Sequence, residues 1–196
     1  MSFRKEIKLI LNRRNSLDFK KMIIDRGAIA MYPQRKISSL YFDNQKKQSH
    51  IDSEEGILPR KKIRIRTYPN SENKKYFFEK KISSPEGKYK SSKKITVPVY
   101  NKIIKQGFFD KMYGLLKPLL HVEYFREYYS LENFRVTIDE KISYRIFNKN
   151  TPKKDTKSVV EIKFTNKENE DSIINSFTNK LTRFSKYSNG INFLNL

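Results

Sequence analysis

Residues 61–68, Lys-Lys-Ile-Arg-Ile-Arg-Thr-Tyr, alternate between cationic and apolar side chains. Successive side chains of a β-strand point to opposite faces, so Ile63 and Ile65 share one face of the predicted strand. The opposite, cationic face consists of Lys62, Arg64 and Arg66. A chain with such strands must cover their apolar faces while their charged faces meet water or an anion. This requirement restricts the fold more than any other feature of the sequence.

The same alternation recurs in three further segments, where a Glu and a Lys two positions apart share one strand face. The pairs are Glu6 and Lys8 in 3–11, Glu79 and Lys81 in 75–82, and Glu161 and Lys163 in 159–164. A same-face salt bridge explains any single pair. Alternatively, the Glu could hold a hard divalent cation while the Lys holds phosphate oxygens. Repetition on several strands weakens the interpretation of these faces as ordinary solvated surface.

The pattern predicts eight strands, several of them separated by turns that contain Pro, Gly or Asn. The predicted strands are 3–11, 36–43, 61–68, 75–82, 88–97, 120–129, 134–147 and 158–165. Most of the connections are short enough for hairpins, so the sheet is expected to be mainly antiparallel.

Three helices are expected between or after the strands. The first is 16–26, which follows a capping Ser16 and ends at Gly27. The other two are a helix that begins after Pro98 and runs towards Pro118, interrupted near Gly107 or Gly114, and a helix over 168–184.

An antiparallel sheet of eight strands can close into a barrel. Because the strands carry charged faces and helices are available for the apolar faces, the predicted fold is inverted relative to an ordinary soluble barrel. We expect an α+β protein, an eight-stranded antiparallel β-barrel tunnel with a basic lumen and helices packed outside. The chain has 196 residues without an internal repeat or linker, so 1–196 is predicted to be a single domain.

The composition narrows the possible partners and chemistry. A net charge of +21 implies an acidic partner, which could be nucleic acid, an anionic membrane or condensed phosphate. The absence of Cys excludes disulfides, thiolate metal sites and a Cys nucleophile. Without a Gly-rich phosphate loop, Rossmann and P-loop chemistry are disfavoured. No signal peptide or spanning segment is visible, so a cytoplasmic protein is expected.

Nine segments together carry a family resemblance. They are Arg-Lys-Glu-Ile-Lys (4–8), Leu-Tyr-Phe-Asp (40–43), Lys-Ile-Arg-Ile-Arg-Thr-Tyr (62–68), Phe-Glu-Lys-Lys (78–81), Lys88 with Lys90, Glu-Tyr-Phe-Arg (123–126), Arg-Val-Thr-Ile-Asp (135–139), Val-Glu-Ile-Lys-Phe (160–164) and Phe-Ser-Lys-Tyr (184–187). In this order they resemble the polyphosphate-polymerase domain of the vacuolar transporter chaperone (VTC) family. That family belongs to the triphosphate tunnel metalloenzymes, which are related to the CYTH proteins.

The resemblance implies a tunnel that binds triphosphate and polyphosphate, with roles for twelve residues. The implied catalytic residues are Arg64, Arg66, Lys81, Arg126 and Lys186. The implied phosphate-binding residues are Lys8, Lys90, Arg135, Lys163 and Ser185. Glu161 and Glu6 are the implied ligands of a Mn²⁺ or Mg²⁺ ion.

The resemblance implies a metal-dependent polyphosphate polymerase that transfers the γ-phosphoryl group of ATP to a growing chain. Tunnel hydrolases commonly begin with Glu-x-Glu-x-Lys, whereas Arg4 stands here in place of the first Glu, which favours the polymerase. The alternatives are an inorganic or nucleoside triphosphatase, a non-catalytic polyphosphate-binding module, and a nucleic-acid-binding domain. Expected partners are ATP, inorganic triphosphate or polyphosphate; nucleic acid is disfavoured. A membrane partner protein and the oligomeric state stay open.

Overall fold

The computed structural model describes residues 4–72, 74–165 and 184–196. These ranges contain ten strands and four helices. The strands are β1 Arg4–Leu11, β2 Ile29–Asp43, β3 Arg60–Thr67, β4 Tyr76–Ser84, β5 Gly87–Ile95, β6 Phe108–Asp110, β7 Gly114–Leu131, β8 Phe134–Ile146, β9 Lys153–Lys154 and β10 Ser158–Thr165. The helices are α1 Arg13–Asp25, α2 Gln48–Glu55, α3 Val97–Gln106 and α4 Lys186–Leu194.

The strands form one hydrogen-bonded path in the order β1-β10-β8-β7-β2-β3-β4-β5, with β6 on β7 and β9 on β8. The pairs β1–β10, β10–β8, β2–β3, β3–β4, β4–β5 and β6–β7 are antiparallel. The prediction of an α+β protein with a mainly antiparallel sheet is therefore confirmed. The prediction of a closed barrel of eight strands is wrong, because within the described residues the path ends at β1 and β5, and the sheet contains ten strands once β6 and β9 are included. The two additional strands, β6 and β9, are too short to show alternation.

The chain divides into two compact units. Unit 1 comprises Met1–Arg35, Tyr124–Ile142 and Lys154–Phe184, and unit 2 comprises Lys36–Glu123, Ser143–Lys153 and Ser185–Leu196. Strands β2, β7 and β8 contribute residues to both units, so the single domain over 1–196 stays a prediction.

In unit 1 the apolar faces of β1, β8 and β10 lie against α1. Ile7, Val136 and Ile162 of these strands are buried in one cluster with Phe19 and Ile23 of α1. Because side chains alternate, the Glu and Lys residues of β1 and β10 occupy the opposite face. A helix thus covers the apolar face of the sheet, as the sequence predicts.

The boundaries of α1 differ from the prediction at its N-terminus. The N-cap is Asn12, whose side-chain oxygen accepts a hydrogen bond from the Asn15 amide at 2.8 Å. Ser16, predicted as the cap, lies inside the helix and donates its hydroxyl to Glu140 at 3.0 Å. The predicted C-terminal Gly27 follows the helix with a φ of 89°, a backbone conformation that glycine adopts without strain.

In unit 2 helix α3 covers the apolar faces of β2, β3 and β4. Leu40, Ile65 and Tyr76 form a buried cluster against which Tyr100 and Ile103 of α3 pack. As in unit 1, a helix covers the apolar face of the sheet.

The predicted continuation of this helix towards Pro118 is wrong, because α3 ends at Gln106 and a β-hairpin of β6 and β7 follows. Gly107 reverses the chain with a φ of 75°, and a Cβ there would lie only 2.3 Å from the carbonyl oxygen of Leu116. The close approach of the returning strand therefore requires glycine at this position.

Helices α2 and α4 were not predicted, and the predicted helix over 168–184 lies outside the described residues, except for Phe184, which precedes α4. Helix α4 contains Gly190, where a Cβ would lie 2.6 and 2.7 Å from the Tyr144 and Leu120 side chains. Glycine lowers the helix propensity of this segment. The stability of α4 therefore depends on its close packing against Tyr144 and Leu120. Within the described part of the chain, no helix combines the length and apolar character needed to cross a membrane.

Candidate functional site

The charged face of unit 1 carries a cluster, here called the Glu161 cluster, that consists of Glu6, Lys8, Arg126, Glu161 and Lys163. The register of β1 and β10 places Glu6 opposite Lys163 and Lys8 opposite Glu161. The Lys163 ammonium lies 2.8 Å from a Glu161 oxygen and 3.9 Å from a Glu6 oxygen. Lys8 lies 3.4 Å from the other Glu6 oxygen and donates to the Phe184 carbonyl at 3.1 Å. The strands thus bring together Glu and Lys pairs that are distant in sequence.

Glu161 is a carboxylate that the cations of this cluster stabilise strongly. Burial raises its pKa, but the positive charges of Arg126, Lys163 and Lys8 lower it by more, so the pKa lies well below its ordinary value. The carboxylate is therefore ionised at neutral pH. It faces the same side of the sheet as Thr137, its register partner on β8, whose buried hydroxyl oxygen has no hydrogen-bond partner among the described residues.

Arg126 is held by Asp139, a carboxylate that the sequence pattern does not indicate as a site residue. Its Nε and Nη2 donate to the two oxygens of Asp139 at 2.5 and 2.7 Å, and the Asp139 side chain is fully buried. The guanidinium carbon also lies 5.3 Å from the centre of the Tyr124 ring. The Asp139 charge raises the pKa of Arg126, although burial opposes it. Arg126 therefore acts on Glu161 as a fixed positive charge.

The charged face of unit 2 carries a second cluster, the Glu79 cluster, that consists of Arg64, Arg66, Glu79 and Lys90. The Glu79 carboxylate accepts from Arg64 Nε at 2.8 Å and from Lys90 at 2.7 Å. Its Oε2 lies 2.8 Å from Arg64 Nη2 and 3.7 Å from Arg66 Nε. The Glu79 side chain is only 6% exposed, so one buried carboxylate faces three cations on neighbouring strands.

The Glu79 cluster combines a stabilised carboxylate with an unused donor. Burial raises the pKa of Glu79, but Arg64, Arg66 and Lys90 lower it to about 2. Burial also lowers the pKa of Lys90, against the effect of its bond to Glu79. The Arg66 Nε is buried and has no hydrogen-bond partner among the described residues. An unsatisfied buried guanidinium donor is costly, and an anionic oxygen would satisfy it.

The remaining predicted site residues lie outside the two clusters as defined. In unit 2, Lys81 is in register with Lys62 on β3 and with Lys90 on β5. Ser185 is the N-cap of α4 and accepts from Lys62 at 2.8 Å, and Lys186 follows it as the first residue of that helix. In unit 1, Arg135 is an exposed residue in register with Lys163. Lys81 and Arg135 are thus register partners of cluster members, whereas Ser185 contacts Lys62, which belongs to neither cluster.

The sequence-based prediction of site residues missed two carboxylates, Glu79 and Asp139. Glu79 lies opposite Arg64 in the strand register, and Asp139 binds Arg126, whose charge lowers the pKa of Glu161. The sequence pattern pairs Glu79 with Lys81, which lies on the same strand. Cross-strand register decides such pairs, and register cannot be read from one strand alone.

These geometries favour anion binding over metal binding by protein groups alone. In the Glu79 cluster three cations surround one carboxylate, which leaves an excess of positive charge. Among the described residues no group of three Asp, Glu, His or Cys side chains could hold a metal ion. The clusters are therefore suited to a polyanion that brings its own oxygen ligands.

These observations define a class of protein that has an antiparallel α+β fold and cation-rich strand faces. The VTC domain model matches residues 3–195, and the chain therefore belongs to the VTC domain family. No match was found among curated proteins.

Solved structures share this fold at low sequence identity. A candidate adenylate cyclase from Bacillus halodurans has 15% identity, a TM-score of 0.61 and coverage of 94% of each chain. The HpAC1 protein from Hippeastrum, a candidate adenylyl cyclase with a dominant triphosphatase activity, has 13% identity and a TM-score of 0.58, covering 97% of this chain and 96% of its own. The PH1819 protein from Pyrococcus horikoshii has 15% identity and a TM-score of 0.55, with coverage of 94% and 97%. The resemblance to the VTC family inferred from the sequence is thus confirmed, and the solved structures show the shared fold.

The substitution Glu79→Gln is expected to destabilise the protein most at neutral pH. The folded-state pKa of about 2 lies below the ordinary value of 4.5, so the stabilisation is complete above pH 4.5 and is lost as the pH falls towards 2. This shift corresponds to at most about 3 kcal/mol of unfolding free energy. Urea unfolding from pH 7 to pH 3 should show the difference from the wild type shrinking below pH 4.5.

Glu55→Gln, on the exposed surface of α2, is the matched control and should not change the pH dependence. A difference between Glu79→Gln and the wild type that stays constant with pH would contradict a stabilising role of the Glu79 charge.

Proposed function

We propose that this protein is a metal-dependent polyphosphate polymerase that transfers the γ-phosphoryl group of ATP to an inorganic polyphosphate chain. The observation that supports this proposal is the Glu79 cluster, where three cations face one carboxylate and the Arg66 Nε has no hydrogen-bond partner among the described residues. Membership of the VTC domain family supports the same substrate class. The proposed ligands are ATP, inorganic triphosphate and polyphosphate.

The burial of the cations favours a slender polyanion over nucleic acid. The side chains of Arg64 and Arg66 are 21% and 11% exposed, so their donors are recessed below the surface. Duplex phosphates require cations that project outwards and contact a broad groove or backbone surface. A chain of phosphates, each with several anionic oxygens and no bulky base, matches recessed and closely spaced donors better.

The carboxylates of the Glu161 cluster fit a divalent cation. Glu6 and Glu161 lie on neighbouring strands, and both carboxylates approach the Lys163 ammonium, so a divalent cation bound by both would take the place of that ammonium. Mg²⁺ is commonly bound by one or two carboxylates, with substrate phosphates and water as its other ligands. We therefore assign Glu6 and Glu161 as the ligands of Mg²⁺ or Mn²⁺. When bound, the ion would neutralise phosphate charge and orient the phosphate oxygens.

The proposed transfer requires binding and charge neutralisation by the protein, but no proton removal by a side chain. A terminal oxygen of polyphosphate forms a bond to the γ-phosphorus of ATP while the bond from that phosphorus to the β,γ-bridging oxygen breaks, and ADP leaves. The nucleophile is already anionic, so no side chain has to remove a proton. Arg64, Arg66, Lys81 and Lys90 would bind the phosphate oxygens and offset the charge that develops on the leaving group. Within unit 2, Ser185 and Lys186 would bind further phosphate oxygens. Within unit 1, Lys8, Arg135 and Lys163 would bind phosphate oxygens, and Arg126 would supply fixed positive charge.

A triphosphatase is the second candidate function. It is supported by the fold shared with HpAC1 from Hippeastrum, whose dominant activity is that of a triphosphatase. The two activities require the same phosphate-binding cations and differ in the acceptor, which is water in hydrolysis. Hydrolysis needs a water that is oriented and deprotonated, usually by a general base. The buried ionised carboxylates are engaged by cations, which disfavours them as bases.

The products formed from ATP distinguish the two activities. Purified protein incubated with ATP and Mn²⁺ or Mg²⁺ is expected to form long polyphosphate and stoichiometric ADP, detected by gel electrophoresis and ³¹P NMR. Omitting the metal is the control. Orthophosphate as the sole phosphate product would contradict the polymerase and establish the triphosphatase.

Glu161→Gln is expected to remove most metal-dependent turnover while the protein stays folded. The amide keeps the size of the side chain but loses the anionic oxygens that a hard cation prefers. Turnover and Mn²⁺ affinity should be measured together, the latter by calorimetry in the presence of a non-hydrolysable ATP analogue. The exposed Glu55→Gln should behave as the wild type in both. Unchanged Mn²⁺ affinity and turnover would exclude the proposed role of Glu161.

Arg66→Ala is expected to weaken the binding of inorganic tripolyphosphate by roughly 10- to 150-fold, the equivalent of one lost charge-assisted hydrogen bond. Calorimetry at fixed ionic strength gives the affinity. Arg14→Ala removes the same charge from the exposed surface of α1 and should change the affinity little. Equal losses for the two variants would show that net charge, and not the Arg66 donor, determines binding.

A further inference from the structure

The guanidinium of Arg64 is held from two sides in unit 2. Its Nε and Nη2 contact Glu79, each at 2.8 Å, and its Nη1 donates to the hydroxyl of Tyr41 at 2.7 Å. Tyr41 is the register partner of Arg64 on β2 and is 6% exposed. Glu79 alone would allow the guanidinium to swing about the carboxylate, whereas the added contact with Tyr41 fixes its plane.

Tyr41 is itself held by the C-terminal helix. The ring of Tyr187 on α4 stacks on the ring of Tyr41 with centroids 5.1 Å apart and an angle of 24° between the planes. The Tyr187 hydroxyl donates to Asp43 Oδ2 at 2.5 Å. Burial and the Asp43 charge raise the pKa of Tyr187, so the phenol keeps the proton that it donates.

The Asp43 carboxylate is itself held in place by several hydrogen bonds. Its carboxylate also accepts from the backbone amides of Asn44, Ser49 and His50 at 2.8, 3.1 and 3.1 Å, the last two in the first turn of α2. The side chain is 3% exposed. A carboxylate with this many donors has little freedom, so the position of Tyr187 is set by the strand end of β2 and by α2 together.

We propose that Tyr187 is a positioning residue that orients the Arg64 guanidinium through Tyr41, with Asp43 fixing Tyr187. The chain of contacts runs from Asp43 to Tyr187, from Tyr187 to Tyr41 and from Tyr41 to Arg64. Arg64 lies in the Glu79 cluster, so its orientation decides which donors an incoming phosphate meets. A preoriented guanidinium binds an anion without the loss of side-chain freedom that a mobile one incurs. The consequence for phosphate binding rests on the proposed function, whereas the positioning of Arg64 does not.

The first test requires no ligand. Nitrogen-15 relaxation of the Arg64 Nε–Hε group reports the order of its guanidinium, and we expect wild type to be the most ordered, Tyr187→Phe less and Tyr187→Ala least. Phe keeps the stacked ring and loses the bond to Asp43, whereas Ala loses both. Circular dichroism and thermal unfolding monitor the fold of each variant. An unchanged Arg64 order parameter in a folded Tyr187→Phe and Tyr187→Ala would overturn the proposal.

Tyr144→Phe is the matched control for this experiment. The Tyr144 hydroxyl accepts a hydrogen bond from Asn189 of α4 at 2.8 Å, so its removal loosens the same helix without touching Tyr41 or Asp43. The order of Arg64 should stay at the wild-type value in Tyr144→Phe. An equal loss of order in this variant would show that any weakening of α4 disturbs Arg64, and would also overturn the proposal.

The second test measures inorganic tripolyphosphate binding in a double-mutant cycle. Tyr187→Phe is expected to weaken binding by roughly 2- to 12-fold, the affinity equivalent of ordering one side chain. In the Arg64→Ala background the same substitution should have no effect, because the residue that it orients is absent. A Tyr187→Phe effect that persists in that background would contradict the proposal. Wild-type protein that does not bind tripolyphosphate would refute the proposed function, and the relaxation experiment would still decide the positioning role.

Discussion

The ion pairs of Glu79 are the interaction on which the Glu79 cluster depends. Arg64, Arg66 and Lys90 come from strands β3 and β5, and without an anion between them their partly buried charges would repel one another. Removing a partner from such a group leaves an uncompensated charge, which costs more than the ion pairs contribute in net stability. Glu79 on β4 therefore permits β3 and β5 to bring cations together while β3 and β4 bury their apolar faces against α3.

Unit 1 meets the same requirement with a different balance of charge. Arg126 is neutralised by Asp139, and Glu6 and Glu161 are matched by Lys8 and Lys163, so the Glu161 cluster has as many carboxylates as cations once Asp139 is included. The Glu79 cluster retains excess positive charge. This difference favours distinct roles, with carboxylates for a cation in unit 1 and cations for phosphate in unit 2. Neither role requires a Cys, a His cluster or a glycine-rich loop.

Features that depend on a single strand could be predicted from the sequence, and those that depend on register could not. Alternation in 61–68 predicts that Arg64 and Arg66 share one face, because successive side chains of a strand point to opposite faces. The partner of Arg64 could not be assigned, because Glu79 becomes its neighbour only when β3 and β4 are aligned. Closure was wrongly expected for the same reason, since strand alternation does not specify which edges pair. Helix α4, with Asn and Gly among its nine residues, lacks a local signal and depends on packing around Gly190.

The ionised Glu79 imposes a compromise on phosphate binding. It occupies donors of Arg64 and Lys90 that an incoming phosphate would also use, so the ligand must either share these donors or displace the carboxylate. Sharing is favoured, because displacement would leave a buried carboxylate without its hydrogen bonds. The Arg66 Nε, which has no hydrogen-bond partner among the described residues, is then the donor at which a phosphate gains most. Stability without ligand and the proposed affinity for phosphate thus place opposite demands on one carboxylate.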